Sequence, residues 1–149
     1  MGDYLRVEEL EVYKKLCRIH IEVCELTRTW PPDERYELTS QVRRSSNSSP
    51  ANLAEKHSDR HIRNKIEGVN RARGEALETV HHLYMAKLKG YLSNQVYQGF
   101  RGRYLECVRM LNGMERTFEK HLDESSRRWP STPSTRPLNA DTDAPHPEP

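Results

Sequence analysis

Leu88-Lys89-Gly90-Tyr91-Leu92-Ser93 is the stretch on which the fold turns. Upstream, from about residue 59 to 89, Ile62, Ile66, Val69, Arg73, Ala76, Leu77, Val80, Tyr84 and Leu88 recur at helical spacing. Downstream, Val96, Phe100, Tyr104, Cys107, Val108, Leu111, Met114, Phe118 and Leu122 do the same. Gly90 stands just past the last periodic residue, where a helix end favours the left-handed backbone that glycine adopts freely. Leu92-Ser93 then supplies an apolar residue and an N-cap for a new helix. A stop signal followed so closely by a start signal joins two long helices by a tight turn. At ~1.5 Å per residue the first of them spans roughly 45 Å.

Two more helices are expected before them. From about Val7 to Thr27 the charged positions Glu11, Lys14, Lys15, Arg18, Glu22 and Glu25 fall three or four apart. Between them lie Leu10, Val12, Tyr13, Leu16, Cys17, Ile19, Val23, Cys24 and Leu26, a wider apolar arc than the ~100° stripe that a small bundle needs. The surplus predicts a second buried contact, with another subunit. Trp30-Pro31-Pro32 ends this helix. A second helix is expected from about 34 to 57 on Leu38, Val42 and Leu53, with Ser45, Ser46 and Ser49 among them. Serines and Pro50 in its middle predict a kink or a local break at Pro50. Four segments with short links read as an all-α, antiparallel up-down-up-down four-helix bundle over residues 1–122. No strand pattern competes with it. Residues 123–149, which hold six of the nine prolines, read as a disordered tail.

The 149 residues are 34% hydrophobic and 31% charged, with a net charge of +2. Residues 1–37 carry nine acids against six Lys/Arg, whereas residues 43–120 carry eight against fifteen. The middle of the chain is therefore the basic part and the place for an anionic partner. No run of 18 apolar residues and no basic-then-apolar leader is present, which points to a cytoplasmic protein rather than a membrane-bound or secreted one. Three cysteines do not make a disulfide framework. Cys17 and Cys24 lie ~10 Å apart along one helix and, with Cys107, read as small buried hydrophobes.

Several ordered blocks resemble one known family: Leu10-Glu11-Val12-Tyr13-Lys14-Lys15, Glu34-Arg35-Tyr36-Glu37-Leu38-Thr39-Ser40-Gln41-Val42-Arg43-Arg44, Pro50-Ala51-Asn52-Leu53-Ala54-Glu55, Gly90-Tyr91-Leu92-Ser93 and Arg109-Met110-Leu111-Asn112-Gly113. Over about residues 5–122 the chain is similar to the four-helix-bundle proteins encoded in intervening sequences of 23S ribosomal RNA genes. These in turn resemble the accessory variability proteins of diversity-generating retroelements, which assist a reverse transcriptase. The resemblance implies a ring-like homopentamer whose second helix bends at the proline. It also implies association with RNA rather than catalysis, and no cofactor. The sequence departs from the family at Ser45, Ser46, Asn47 and Ser49, where small or aliphatic residues are usual. That departure predicts looser packing or a wetter surface there.

The candidate nucleic-acid surface consists of Arg43, Arg44, Arg60, Arg63, Lys65, Arg71, Arg73, Arg101 and Arg103, with Arg109 beside them on the fourth helix. Phosphate contacts need only Lys and Arg spaced along a rigid surface. In the helical reading Arg60, Arg63 and Arg71 share a face and Arg73 lies off it. No sequence-reading module accompanies them, so structured or ribosomal RNA would be held by shape and backbone. The competing function is a protein–protein scaffold with no nucleic-acid role, including a partner of a reverse transcriptase.

Catalytic signals are sparse. Glu78-Thr79-Val80-His81 is a single Glu-x-x-His step, whereas di-metal bundles need two such steps and two further glutamates. His81 reads as a boundary residue, and no metal site is expected. The interior glycines Gly68, Gly74, Gly99, Gly102 and Gly113 form no phosphate-cradling loop and read as points of close helix approach. Tyr36 beside Arg35 is a conceivable base-stacking surface, although packing is the ordinary role of tyrosine in a bundle.

Overall fold

The computed structural model describes residues 6–122. The tail expected over 123–149 lies outside the described residues. Four helices carry the fold: α1 (Glu11–Thr27), α2 (Leu38–His57), α3 (Ile62–Leu88) and α4 (Asn94–Glu119). Short 3-10 turns at Val7–Glu9 and Pro32–Glu34 precede α1 and α2, and no strand occurs among the described residues. Consecutive helices pack side by side as a four-helix bundle. The α2–α3 seam is the most extensive and the α1–α4 seam the least.

The turn between α3 and α4 forms as the sequence predicts. Gly90 takes φ 83°. Its N–H bonds to the Lys87 carbonyl at 2.9 Å, and the Tyr91 N–H reaches the Ala86 carbonyl at 2.9 Å. These two bonds form a Schellman motif, which satisfies carbonyls that the helix end leaves open. Ser93 Oγ accepts from the Val96 N–H at 3.1 Å and starts α4.

The core is built from Val12, Leu16, Ile19 and Val23 of α1, Leu38, Val42 and Leu53 of α2, Val69 and Leu83 of α3, and Tyr104 and Leu111 of α4. Ala72, Ala76 and Ala86 of α3 lie among them and let its neighbours come close. Burying each large apolar side chain contributes about 1.5–3 kcal/mol. One end of the bundle is closed by the segment that follows α1. Trp30 packs its ring 5.7 Å from that of Tyr91, and Lys89 Nζ reaches the buried Glu34 carboxylate at 3.0 Å.

The second helix is sharper in outline than the sequence suggests. It starts at Leu38, because residues 32–34 form their own 3-10 turn. It continues through Pro50 as one helix, so no local break occurs. Its serines are not a wet surface either: Ser45, Ser46 and Ser49 are buried. Ser45 Oγ lies 2.7 Å from Thr79 Oγ1 of α3, and Ser49 Oγ donates to the Ala72 carbonyl at 2.7 Å. Ser46 Oγ donates to the Arg43 carbonyl and lies 2.7 Å from His20 Nδ1 of α1. A short hydroxyl that finds a partner across the seam is a compact way to fill it, since burying it unbonded would cost about 1–3 kcal/mol.

Close helix approach, expected of five glycines, is realised at one. A Cβ on Gly68 would stand 2.6 Å from Lys56 Cβ and 3.1 Å from the Asn52 carbonyl oxygen, so α2 and α3 nearly touch there. Gly74, Gly99, Gly102 and Gly113 face open space within this chain.

Candidate nucleic-acid interface

The structure sorts the candidate cations into those that hold the bundle together and those that face outward. Arg73 belongs to the first group. Its guanidinium donates to Glu115 Oε2 at 2.8 Å, to Asn112 Oδ1 at 2.7 Å and to Asn70. The Arg73 side chain is 15% exposed and that of Glu115 1%, so this ion pair between α3 and α4 is interior. Arg73 is thus removed from any outer surface, although Arg71, two residues earlier, is exposed.

Arg43 has a structural task as well. It donates from Nε to Thr27 Oγ1 at 2.8 Å and from its terminal nitrogen to the Cys24 carbonyl at 3.4 Å. Thr27 Oγ1 itself donates to the same carbonyl. A cation at the end of α1 meets the negative end of the helix dipole there. Arg103 pairs with Glu22 of α1 and lies over the Phe100 ring. That hydrogen bond is the main reason the Glu22 carboxyl is held below its usual pKa and the Arg103 guanidinium above its own. Lys65 is half-buried, with Nζ 5.7 Å from the Phe118 ring centre.

The remaining candidates point outward. Arg44, Arg60, Arg63, Arg71 and Arg101 are exposed, as is Arg109. Arg60 lies in the link before α3 rather than on the helix, which begins at Ile62. Asp59 organises that link by accepting from the His61 N–H at 2.8 Å and from Asn64 at 3.2 Å. Arg71 holds Glu67, one turn back, at 2.7 Å. Tyr36, 82% exposed, presents its ring with the Arg35 guanidinium 5.5 Å from the centre.

Two arrangements were not foreseen. Lys14, Lys15 and Arg18 of α1 meet Arg103 of α4 around a cleft of about 290 Å³, with Glu11, Glu106 and Ile19 completing its walls. Counting α1 as part of an acidic segment hides this, because its basic residues gather on the α4 side. The second is the His20–Ser46 contact, a Ser–His pair without an exposed hydroxyl. Ser46 is 0% exposed and its proton goes to a backbone carbonyl, so no substrate can reach it. Burial, with Arg43 nearby, holds the His20 pKa below its ordinary value.

His81 is exposed, and Glu78 faces the next residue instead: His82 Nε2 lies 3.6 Å from Glu78 Oε1. No group of three ligating side chains suited to a metal occurs among the described residues. Cys107 is buried, which pushes its thiol up to about 11, in the range of an unreactive cysteine. No helix of the described residues is long and apolar enough to cross a membrane.

These features define an all-α four-helix bundle whose outward surface on α2, α3 and α4 is rich in arginine. The chain belongs to the 23S rRNA-intervening sequence protein family, whose model matches residues 8–113. A solved structure with the same fold is a protein of unknown function from the S23 ribosomal protein family of Bacteroides thetaiotaomicron. It is 20% identical, covers 70% of this chain and 97% of its own length, and superposes with a TM-score of 0.63. No curated protein matches this chain.

Proposed function

We propose that this protein is a non-enzymatic RNA-binding bundle that holds the phosphate backbone on the arginines left outside its ion-pair framework, in the cytoplasm. The observation that carries this is the sorting of cations. Arg73 and Arg103 are taken up by Glu115 and Glu22, while Arg44, Arg60, Arg101 and Arg109 stay exposed with no ion pair among the described residues. Arg71 is exposed on α3 too, but holds Glu67. A family named for intervening sequences of ribosomal RNA agrees with RNA as the polyanion.

The test is binding of a stem-loop RNA at several salt concentrations by a variant with Arg44, Arg60, Arg101 and Arg109 changed to Glu. Affinity is expected to fall at least ~100-fold with helicity intact, and the salt slope should flatten by about 1 per lost phosphate contact. Unchanged affinity would remove the assignment.

A second reading is a protein scaffold. It is favoured by Leu77, Tyr84 and Leu88 on α3 and Val96 on α4, apolar side chains that are 40–59% exposed. On that reading the surface joins copies of the chain, five by the family resemblance, or docks a reverse transcriptase. Apolar docking would persist at salt concentrations that release RNA.

A further inference from the structure

The polar groove between α2 and α3 is not explained by backbone binding alone. Its upper part, about 300 Å³, is lined by Gln41, Arg44, Ser45 and Ser48 of α2 and by Glu75, Glu78 and His82 of α3. Ser48 and Glu75 also wall an adjoining hollow of about 410 Å³, completed by Asn52, Arg71 and Gly74. From Arg71 to His82 the α3 wall runs ~16 Å. Each hollow is of the size that takes a small ligand. An arginine lines each hollow; Glu75 is common to both, and Glu78 lines the upper one with Arg44.

We propose that this groove is a pocket for one unpaired guanine nucleotide of the bound RNA. Glu75 and Glu78 take the Watson–Crick edge of the base, and Arg44 and Arg71 meet its O6 edge and flanking phosphate. The inference rests on the RNA-binding reading and adds a base preference to it.

The donor and acceptor inventory selects the base. Ionised carboxylates only accept, and guanidinium groups only donate. Guanine alone places two adjacent donor groups, N1–H and N2–H₂, beside an acceptor, O6, so both kinds of wall are used. Adenine offers one amino donor beside the N1 lone pair, which a carboxylate repels. Uracil flanks its single N–H with two carbonyls, and cytosine presents two acceptors beside its amine.

The groove also holds two neighbouring acids whose repulsion Arg44 offsets only in part. Burial and the neighbouring Glu78 carboxylate keep the Glu75 pKa above its ordinary value. Donors placed between the two acids would relieve that strain. A metal cation is the poorer occupant, since Arg44 already supplies positive charge beside the acids and no three-ligand group is present among the described residues. Gly74 fits the same picture. Glycine inside a helix is unfavourable relative to alanine, yet nothing in the bundle packs against this one. Its missing side chain leaves the lower hollow open for a ribose.

The experiment compares uridine-rich RNA dodecamers carrying one central guanine, inosine or adenine. Guanine is expected to bind about 10-fold tighter than adenine, and inosine, which lacks the N2 amine, in between. Changing Glu75 and Glu78 together to Gln should erase the preference while affinity for the plain uridine dodecamer persists. Equal binding of guanine and adenine RNAs would overturn the pocket and leave backbone binding standing. A preference that survives the double variant would overturn it as well. Failure of every RNA to bind would instead remove the RNA-binding reading. Should the double variant not fold, guanosine monophosphate titrated into the wild-type protein decides the matter through the Gly74 amide resonance. A shift with that nucleotide and none with adenosine monophosphate supports the pocket, and no difference overturns it.

Discussion

The two flanks of the bundle are held by opposite means. On the α3 side, polar groups go inside: the Arg73–Glu115 pair toward α4, and the Ser45–Thr79 and Ser49–Ala72 hydrogen bonds toward α2. On the α1–α4 side they stay in water. Arg103–Glu22 and Lys15–Glu106 bridge a charged cleft with side chains 38–48% exposed. The same residue types therefore carry very different weights. A buried charge that loses its partner is costly, whereas an exposed pair is screened and contributes about 0–1 kcal/mol.

The sharpest way to break this contrast is Arg73→Met, which takes from the buried Glu115 carboxylate its arginine partner. A loss of about 3–5 kcal/mol is expected, read as a fall in melting temperature of about 10 °C or more. Changing Glu115 to Leu in the same chain should restore much of it. A small effect of the single change would show that the pair is wetter than its burial indicates. Next in size is Gly68→Ala, which drives a methyl into Lys56 and the α2 backbone and is expected to cost about 1–3 kcal/mol in denaturant unfolding. Gly99→Ala, in open space on α4, should instead stabilise by about 0.4–1 kcal/mol. Equal effects at the two glycines would contradict the close α2–α3 approach. Smallest is Glu106→Gln on the α1–α4 side, expected to change stability by less than about 1 kcal/mol, and less still in high salt.

The helix count and the turn between α3 and α4 were legible because they are local. Gly90 and Ser93 act through their own backbone neighbours, and apolar spacing alone separates α3 from α4. Partner choice was not legible in the same way. Arg71 and Arg73 are the same residue type two positions apart, and only the placement of Glu115, 42 residues downstream of Arg73, decides which one is buried. The serines of α2 were misread for a similar reason. A hydroxyl in a helix signals competition with the backbone unless the opposite helix is known, and here Thr79, Ala72 and His20 absorb all three. The same limit hid the α1–α4 cleft, since the basic face of α1 acquires meaning only beside Arg103.

The brevity of the links has a kinetic consequence. Residues 58–61 and 89–93 are all that separate α2 from α3 and α3 from α4, so the two most extensive seams form between neighbours in sequence. Such hairpins close with little loss of chain entropy, and helical proteins rich in sequence-near pairings fold in microseconds to milliseconds. Only the α1–α4 seam requires the two ends of the fold to find each other, and it is the least extensive of the four. The order expected from connectivity is that α2, α3 and α4 pair first and that the α1–α4 seam closes last.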